Sequence, residues 1–447
     1  MSGNLTLHRL AAYALPALPL AVVLFPSLAI LPGFYARHTA IPLATIGMIL
    51  IVARGFDAVV DPFIGFISDS TRSRWGARKP WMVAGSLIMA LSVSQLYAPS
   101  SDVGPLYYLG WFVAFYLGYS MIEIPYKAWG TEMARDYIDR TRIATAVAIL
   151  FGIGNLAFAI APFVLGGGSG AYDADTLRAI GGVAAVSVPL AVGLAVWLAP
   201  SGAPTPARKI NIQAVLGAAR RNRPLLWFAV MFMLTGLGQG VFYGLVFLYV
   251  GSVLGLAEAF VWVLLADAVV TLLSIPIWYG LVRVLQKHRA WAMGLVISAA
   301  ALLGMIFLGR GDGALPWLLA LVCLRAFGAA VTQVAPNALL GDVVDYELLK
   351  RRVNQAANFH ALNSIITKGT VTVGGGLGLM VVGLAGFDPK LESSDAVIHA
   401  FKAAALLVPA VILIAGASLA VRFPLDRRRH ALVLRALNRR ADHDARA

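Results

Sequence analysis

Apolar segments of about 20 residues or more recur from one end of this chain to the other, and that recurrence leaves few folds open. They run near 11–36, 41–69, 80–99, 104–133, 142–168, 176–199, 224–252, 256–284, 290–309, 314–341, 356–386 and 397–423. A stretch of that length crosses the hydrocarbon core of a bilayer as one helix, which satisfies its own backbone there. The expected fold is an all-α polytopic membrane protein with about twelve transmembrane helices. Composition discriminates the same way: 59% of the 447 residues are hydrophobic and 13% charged, against roughly one-half and one-quarter in soluble domains.

The net charge of +14 could point to nucleic acid, but its placement gives it another meaning. Arg72, Arg74, Arg78 and Lys79 follow the second segment, Arg220, Arg221 and Arg223 the sixth, Lys350 and Arg351 the tenth. Loops after odd-numbered segments carry acids such as Asp102, Asp173 and Asp388. Basic loops stay cytoplasmic. The expectation is an integral protein of a bacterial-type inner membrane with both termini cytoplasmic, whose partner is the lipid bilayer and not nucleic acid. No cleavable signal peptide is evident. The single cysteine, Cys323, lies within a span and rules out disulfides. No nucleophile–His pair, HExxH or nucleotide-binding loop is present, so no enzyme and no cofactor are expected.

The chain echoes itself at an offset of about 210 residues. Asp57-Ala58-Val59-Val60 recurs as Asp267-Ala268-Val269-Val270, and Trp81 as Trp291. Pro125 and Gly130 recur as Pro336 and Gly341. Repeats of parallel topology are the mark of the major facilitator fold, with two pseudo-symmetric six-helix bundles that rock around a midplane site. The expected divisions are 1–199 for the first bundle, 200–223 for a cytoplasmic linker, 224–424 for the second bundle and 425–447 for a basic cytoplasmic tail.

Asp57 and Asp61 stand one helical turn apart on one face of the second span. Carboxylates at bilayer depth are expensive, and two like charges this close repel unless a cation or proton lies between them. Arg54, one turn earlier, offsets part of that charge. Span four adds Glu123, preceded by Tyr119 and Ser120; its structural alternative is a pair with Lys127, four residues on. Lys368 lies in span eleven among Asn363, Ser364 and Thr367, and needs a counter-ion unless it snorkels to an interface. Tyr119, Lys127, Asn363, Ser364 and Thr367 are candidates for the substrate cavity. His360 reads as a packed polar residue. In the loop after span two, Gly65, Asp69, Arg74, Gly76 and Arg78 form a candidate gating motif, with Asp69 set to pair with the loop arginines.

The runs DAVVDPFIGFISDSTRSRWGARKPW, EIPYKAWG, DRTR, GDVVDYELLKRR and ITKG resemble the melibiose-carrier branch of the major facilitator superfamily, the glycoside–pentoside–hexuronide:cation symporters. The resemblance implies that Asp57, Asp61 and Glu123, with Ser120 as hydroxyl neighbour and Lys368 nearby, hold a coupling ion, sodium or a proton. Positions that read sugar in that family fall here near Ala21 and Ala148 and on Lys127, and Val60 replaces a polar neighbour of the aspartates. The resulting expectation is a monomeric cation-coupled symporter of a small solute, a glycoside or related sugar, working by alternating access. The alternatives are a non-sugar amphipathic or lipid-like cargo and a non-transporting membrane receptor.

Overall fold

The computed structural model describes residues 6–134, 137–166, 171–201, 222–351 and 356–444, and every regular element among them is helical. In chain order these are α1 (Leu7–Ala14), α2 (Ala17–Ala29), α3 (Leu31–His38), α4 (Leu43–Ser70), α5 (Lys79–Leu96), α6 (Pro105–Met133), α7 (Tyr137–Leu165), α8 (Ala174–Leu198) and α9 (Arg223–Leu248). There follow α10 (Phe260–Leu285), α11 (Lys287–Met305), α12 (Leu315–Ala329), α13 (Ala335–Arg351), α14 (Ala356–Leu384), α15 (Asp395–Lys402), α16 (Val408–Val421) and α17 (Arg427–Asp444). Most of the expected linker, 202–221, lies outside the described residues.

Ten helical stretches among the described residues are long and apolar enough to cross a membrane. The expected spans 80–99 and 104–133 are helical too, as α5 and α6, but are less apolar. In α6 the hydropathy is lowered by aromatic side chains that turn inward: Tyr108, Tyr116, Tyr119, Tyr126 and Trp129 are all buried. By contrast, α7 leaves Ile149, Ile153, Ile160 and Val164 exposed. Apolar surface of this extent belongs in hydrocarbon, and the chain is an integral membrane protein.

Proline breaks the expected first span into three helices. Pro16 caps α2 and Pro32 lies in the first turn of α3, positions where a missing N–H costs nothing. Span ten is also discontinuous: α12 ends in a 3-10 turn, Ala330–Gln333, before α13 resumes with Pro336 in its first turn. The tail after span twelve is helical, with Asp426 accepting the Arg429 N–H at 2.8 Å as a cap that holds its carboxyl below the usual range.

The chain forms two compact units, each assembled from three separate stretches of sequence. Unit 1 lies within 1–208, 243–265 and 375–400; unit 2 lies within 209–242, 266–374 and 401–447. Small residues set the packing in both, because without a solvent-driven hydrophobic effect between helices, close backbone approach supplies the attraction. In unit 1, α4 meets the segment after 375 so closely that a Cβ on Gly47 would fall 2.4 Å from the Gly376 carbonyl oxygen. There α5 and α6 cross at Gly85 and Gly118, where a Cβ on Gly118 would lie 2.8 Å from the Met89 nitrogen. In unit 2, α11 and α12 cross at Gly294 and Gly328, with a Cβ on Gly328 lying 2.5 Å from the Gly294 oxygen. These two crossings occupy equivalent places in the sequence repeat.

Gly118→Val therefore forces two backbones apart. Overpacking of this kind costs about 1–3 kcal/mol, and the variant should lose most of its monodisperse yield on size-exclusion chromatography in detergent. Gly110→Val, where a Cβ meets nothing within 4 Å, is the matched control and should behave as wild type.

Candidate cation site and gating network

In unit 1, α4 and α6 lie side by side and run in parallel. Two contacts establish the register: Ser120 bonds Asp57 and, nearer the helix ends, Arg78 bridges Asp69 to Glu132. Ser120 follows Asp57, and Glu132 follows Asp69, by the same 63 positions. One turn beyond the first contact, Asp61 on α4 and Glu123 on α6 therefore stand at one level of the bundle.

Asp57 is 2% exposed. The Ser120 hydroxyl donates to its Oδ1 at 2.7 Å, and the Arg54 guanidinium pairs with its Oδ2. Arg54 also lies over the Tyr116 ring, 5.7 Å from the centroid. Asp61 is half-buried. Lys127 donates to Glu123 Oε1 at 2.7 Å, so the structural alternative for Glu123 is realised. The same lysine is 64% exposed, so solvent screens this pair. Tyr119 is buried beside Glu123. Pro62 within α4 has no N–H to offer the Ala58 carbonyl, an oxygen that falls in sequence between the two aspartates.

Asp57, Asp61 and Glu123 concentrate negative charge in the middle of these helices, and Arg54 and Lys127 meet part of it. Carboxylate, hydroxyl and carbonyl oxygens are the donor set of a hard monovalent cation. A proton on one carboxyl would balance the same charge.

The remaining cavity candidates belong to unit 2. Lys368 is half-buried in mid-helix on α14, a turn from Asn363 and Ser364, and Thr367 returns its hydroxyl to the Asn363 carbonyl at 2.8 Å. Ser364 and Thr367 are exposed, as polar groups facing water inside a span would be. The described mid-span carboxylate of unit 2 is Asp267, paired with Arg325 from α12.

The loop motif is organised around Arg78. Its guanidinium donates to Glu132 Oε1 at 3.0 and 3.1 Å, to the Ser68 hydroxyl at 3.3 Å, and pairs with Asp69. Gly76 takes φ +94°, a conformation that glycine adopts without strain. A Cβ on Gly65 would lie 3.8 Å from the Ile124 side chain across the α4–α6 contact. Arg74 is exposed on the loop before the turn at Gly76, whereas Arg78 after it is buried.

Glu132 and Lys79 are additions that sequence reasoning missed. Lys79 caps α8 through the Val196 and Ala199 carbonyls at 2.8 and 3.1 Å. The sequence repeat offered a signal for Glu132, since its counterpart Asp342 accepts from Lys287 at 2.6 Å in unit 2, where Lys287 stands for Arg78.

The sequence profile of the MFS/sugar transport protein family matches residues 12–427. The chain belongs to this family. It is a membrane transporter of the major facilitator fold, not an enzyme. A symporter of Synechocystis sp., itself uncharacterised, is 24% identical over 92% of this transporter and 93% of the relative. The glucuronide carrier protein homolog of Escherichia coli is 23% identical, covering 91% of this transporter and 90% of its own length. Among solved structures, a mutant of the nucleoside transporter NupG superposes with a TM-score of 0.68 at 14% identity, over 93% of this transporter and 99% of that chain. A bacterial homologue of the lysosomal transporter Spinster gives 0.68 at 13% identity over 96% and 99%. These likenesses concern the fold.

Proposed function

We infer that this transporter is a symporter that couples a monovalent cation, sodium or a proton, to the movement of a small sugar-like solute. The observation that carries the reading is the cluster of three carboxylates at membrane depth, Asp57, Asp61 and Glu123, on two adjacent helices of unit 1, with the Ser120 hydroxyl beside Asp57. Occluding a net charge in a low-dielectric interior is costly, so the carrier moves when a cation has neutralised this cluster. Relatives named for glucuronide transport and for symport are consistent with that coupling. The halves 1–199 and 224–424 are the rocking bundles of this mechanism, and Arg78 with Asp69 and Glu132 is its cytoplasmic latch. The protein works as a monomer in the bilayer with both termini in the cytoplasm.

The family's helix-one sugar position supports a rebuilt cargo pocket. Ala21 is fully buried, and its Cβ would lie 2.8 Å from a Cβ placed on Gly154 of α7. Alanine at this position offers a sugar hydroxyl no polar group.

The test is uptake of labelled glycosides, hexuronides and lysolipids into proteoliposomes, with and without an imposed sodium or proton gradient. Accumulation that requires a gradient and disappears in Asp61→Ala, with folding intact, is expected. Movement of lysolipids alone would replace the sugar-like cargo by an amphipathic one. Undiminished concentration of cargo by Asp61→Ala would remove the coupling assignment.

A further inference from the structure

We propose that the outward face of α17 is a docking surface for the acidic phospholipid headgroups of the cytoplasmic leaflet. The proposal goes beyond the symporter reading and takes from it only that the tail lies in the cytoplasm. The helix carries two opposed stripes at helical spacing. His430, Val433, Leu437 and Arg440 form the first, which faces the protein. His430 Nε2 lies 3.0 Å from Asp345 Oδ2 and 3.4 Å from Asp342 Oδ1 on α13. Val433 is buried, Leu437 is half-buried, and the Arg440 guanidinium donates to the Leu349 carbonyl at 2.6 Å. Arg428, Leu432, Arg435 and Arg439, spaced four, three and four residues apart, form the second stripe, and all four are exposed. Among the described residues, no carboxylate side chain pairs with any of these three arginines.

Water is the ordinary surrounding of a charged helix face, and three features decide for a membrane. The first is position. The last span runs to Val421 and α17 begins at Arg427, so five residues join them. That link is folded against the protein: Phe423 and Leu425 are buried, and the Arg429 guanidinium donates to the Pro424 carbonyl at 2.6 Å. The arginine stripe is thereby held close to the end of a membrane-crossing helix. The second feature is Leu432, 60% exposed between Arg428 and Arg435. An apolar side chain amid arginines suits the boundary between headgroups and acyl chains. The third is the sign of the charge. The acids within α17, Asp442 and Asp444, come after the stripe, so the stripe itself is wholly basic. Basic clusters beside the cytoplasmic end of a span are drawn to acidic lipid over about one Debye length.

The inner stripe gives this contact a consequence. Asp342, beside His430, also accepts from Lys287 at 2.6 Å, the pair that repeats Arg78 and Glu132 in unit 2. Lipid that holds the outer stripe of α17 therefore holds the end of α13 and its ion pair as well.

The test uses the full-length protein in lipid nanodiscs. Cys323, the one cysteine in the chain, is replaced by serine, and a bimane label is placed on Leu432→Cys. The discs are phosphatidylcholine alone or phosphatidylcholine mixed with phosphatidylglycerol, each with a trace of phosphatidylcholine carrying a headgroup nitroxide as quencher. Quenching should be severalfold stronger in the acidic discs, should fall back in high salt, and should vanish in Arg428→Gln/Arg435→Gln/Arg439→Gln. The same label on Leu434→Cys, two residues on and so across the helix, should be quenched weakly in both discs. Equal quenching in neutral and acidic discs, stronger quenching at Leu434→Cys than at Leu432→Cys, or quenching that survives the triple substitution overturns the proposal. Should the triple variant fail to fold, salt titration with the arginines intact carries the same test, and quenching indifferent to salt overturns it. Labelling of Leu434→Cys by a membrane-impermeant maleimide from outside intact spheroplasts would remove the tail from the cytoplasm and end this proposal, while gradient-driven uptake decides the symporter reading separately.

Discussion

Asp57→Ala should give a carrier that has lost accumulation of cargo by at least tenfold and is also less stable than wild type. Two effects of one residue are entangled here. Removing the carboxylate takes away a cation ligand, and it also strands Arg54, which is 8% exposed and bonded to it. Breaking a buried pair from one side costs about 3–5 kcal/mol, most of it the burden of the charge left behind. Asp57→Asn keeps the shape and the Ser120 bond but not the charge. The double variant Arg54→Gln/Asp57→Asn removes the stranded cation as well, so its melting temperature should return towards wild type while gradient-driven accumulation stays lost. Thermal unfolding and uptake measured on the three variants separate scaffold from coupling. Recovery of accumulation in the double variant would show that Asp57 only balances Arg54.

Arg78→Ala should slow turnover by about tenfold or more with cargo affinity unchanged, a loss of at least 1.4 kcal/mol in the transport barrier. The arginine binds two carboxylates from two helices at once, and without it Asp69 and Glu132 repel across the α4–α6 contact. Arg78→Lys should recover little, because a compact ammonium cannot fork between both acids and Ser68. Glu132→Gln should be more damaging than Asp69→Asn, since the glutamate side chain is 11% exposed and the aspartate 30%. Exchange rates and equilibrium binding measured side by side decide the matter. A parallel loss of affinity would place Arg78 in cargo binding.

What the sequence made legible was local or periodic. The i, i+4 spacing placed Asp57 and Asp61 on one face and paired Glu123 with Lys127, and both follow from helical geometry alone. Arg54 beside Asp57 and Arg78 beside Asp69 were readable because few residues separate each pair. Arg325 was not readable as the partner of Asp267: 58 positions and the whole of α11 intervene, and nothing near Arg325 in the chain announces which helix it faces. The break after α12 was hidden for a related reason, since the apolar run continues through Val331 while the backbone changes pitch. Pro16 and Pro32 did announce breaks in the first span, but hydropathy alone reads through them. Lys368 stood out as a charge inside an apolar run, and its role beside an ion rested on resemblance; it lies in the part of α14 that belongs to unit 2, whereas Asp57 belongs to unit 1.

The glycine crossing of α5 with α6 has a use in the laboratory. Helices that touch backbone to backbone cannot slide past one another without one of them being remade, so probes on the exposed Leu87 and Leu106 should keep a constant separation throughout the working cycle. That pair is a built-in fiducial: displacement of any other helix in unit 1 can be calibrated against a length the molecule itself does not alter.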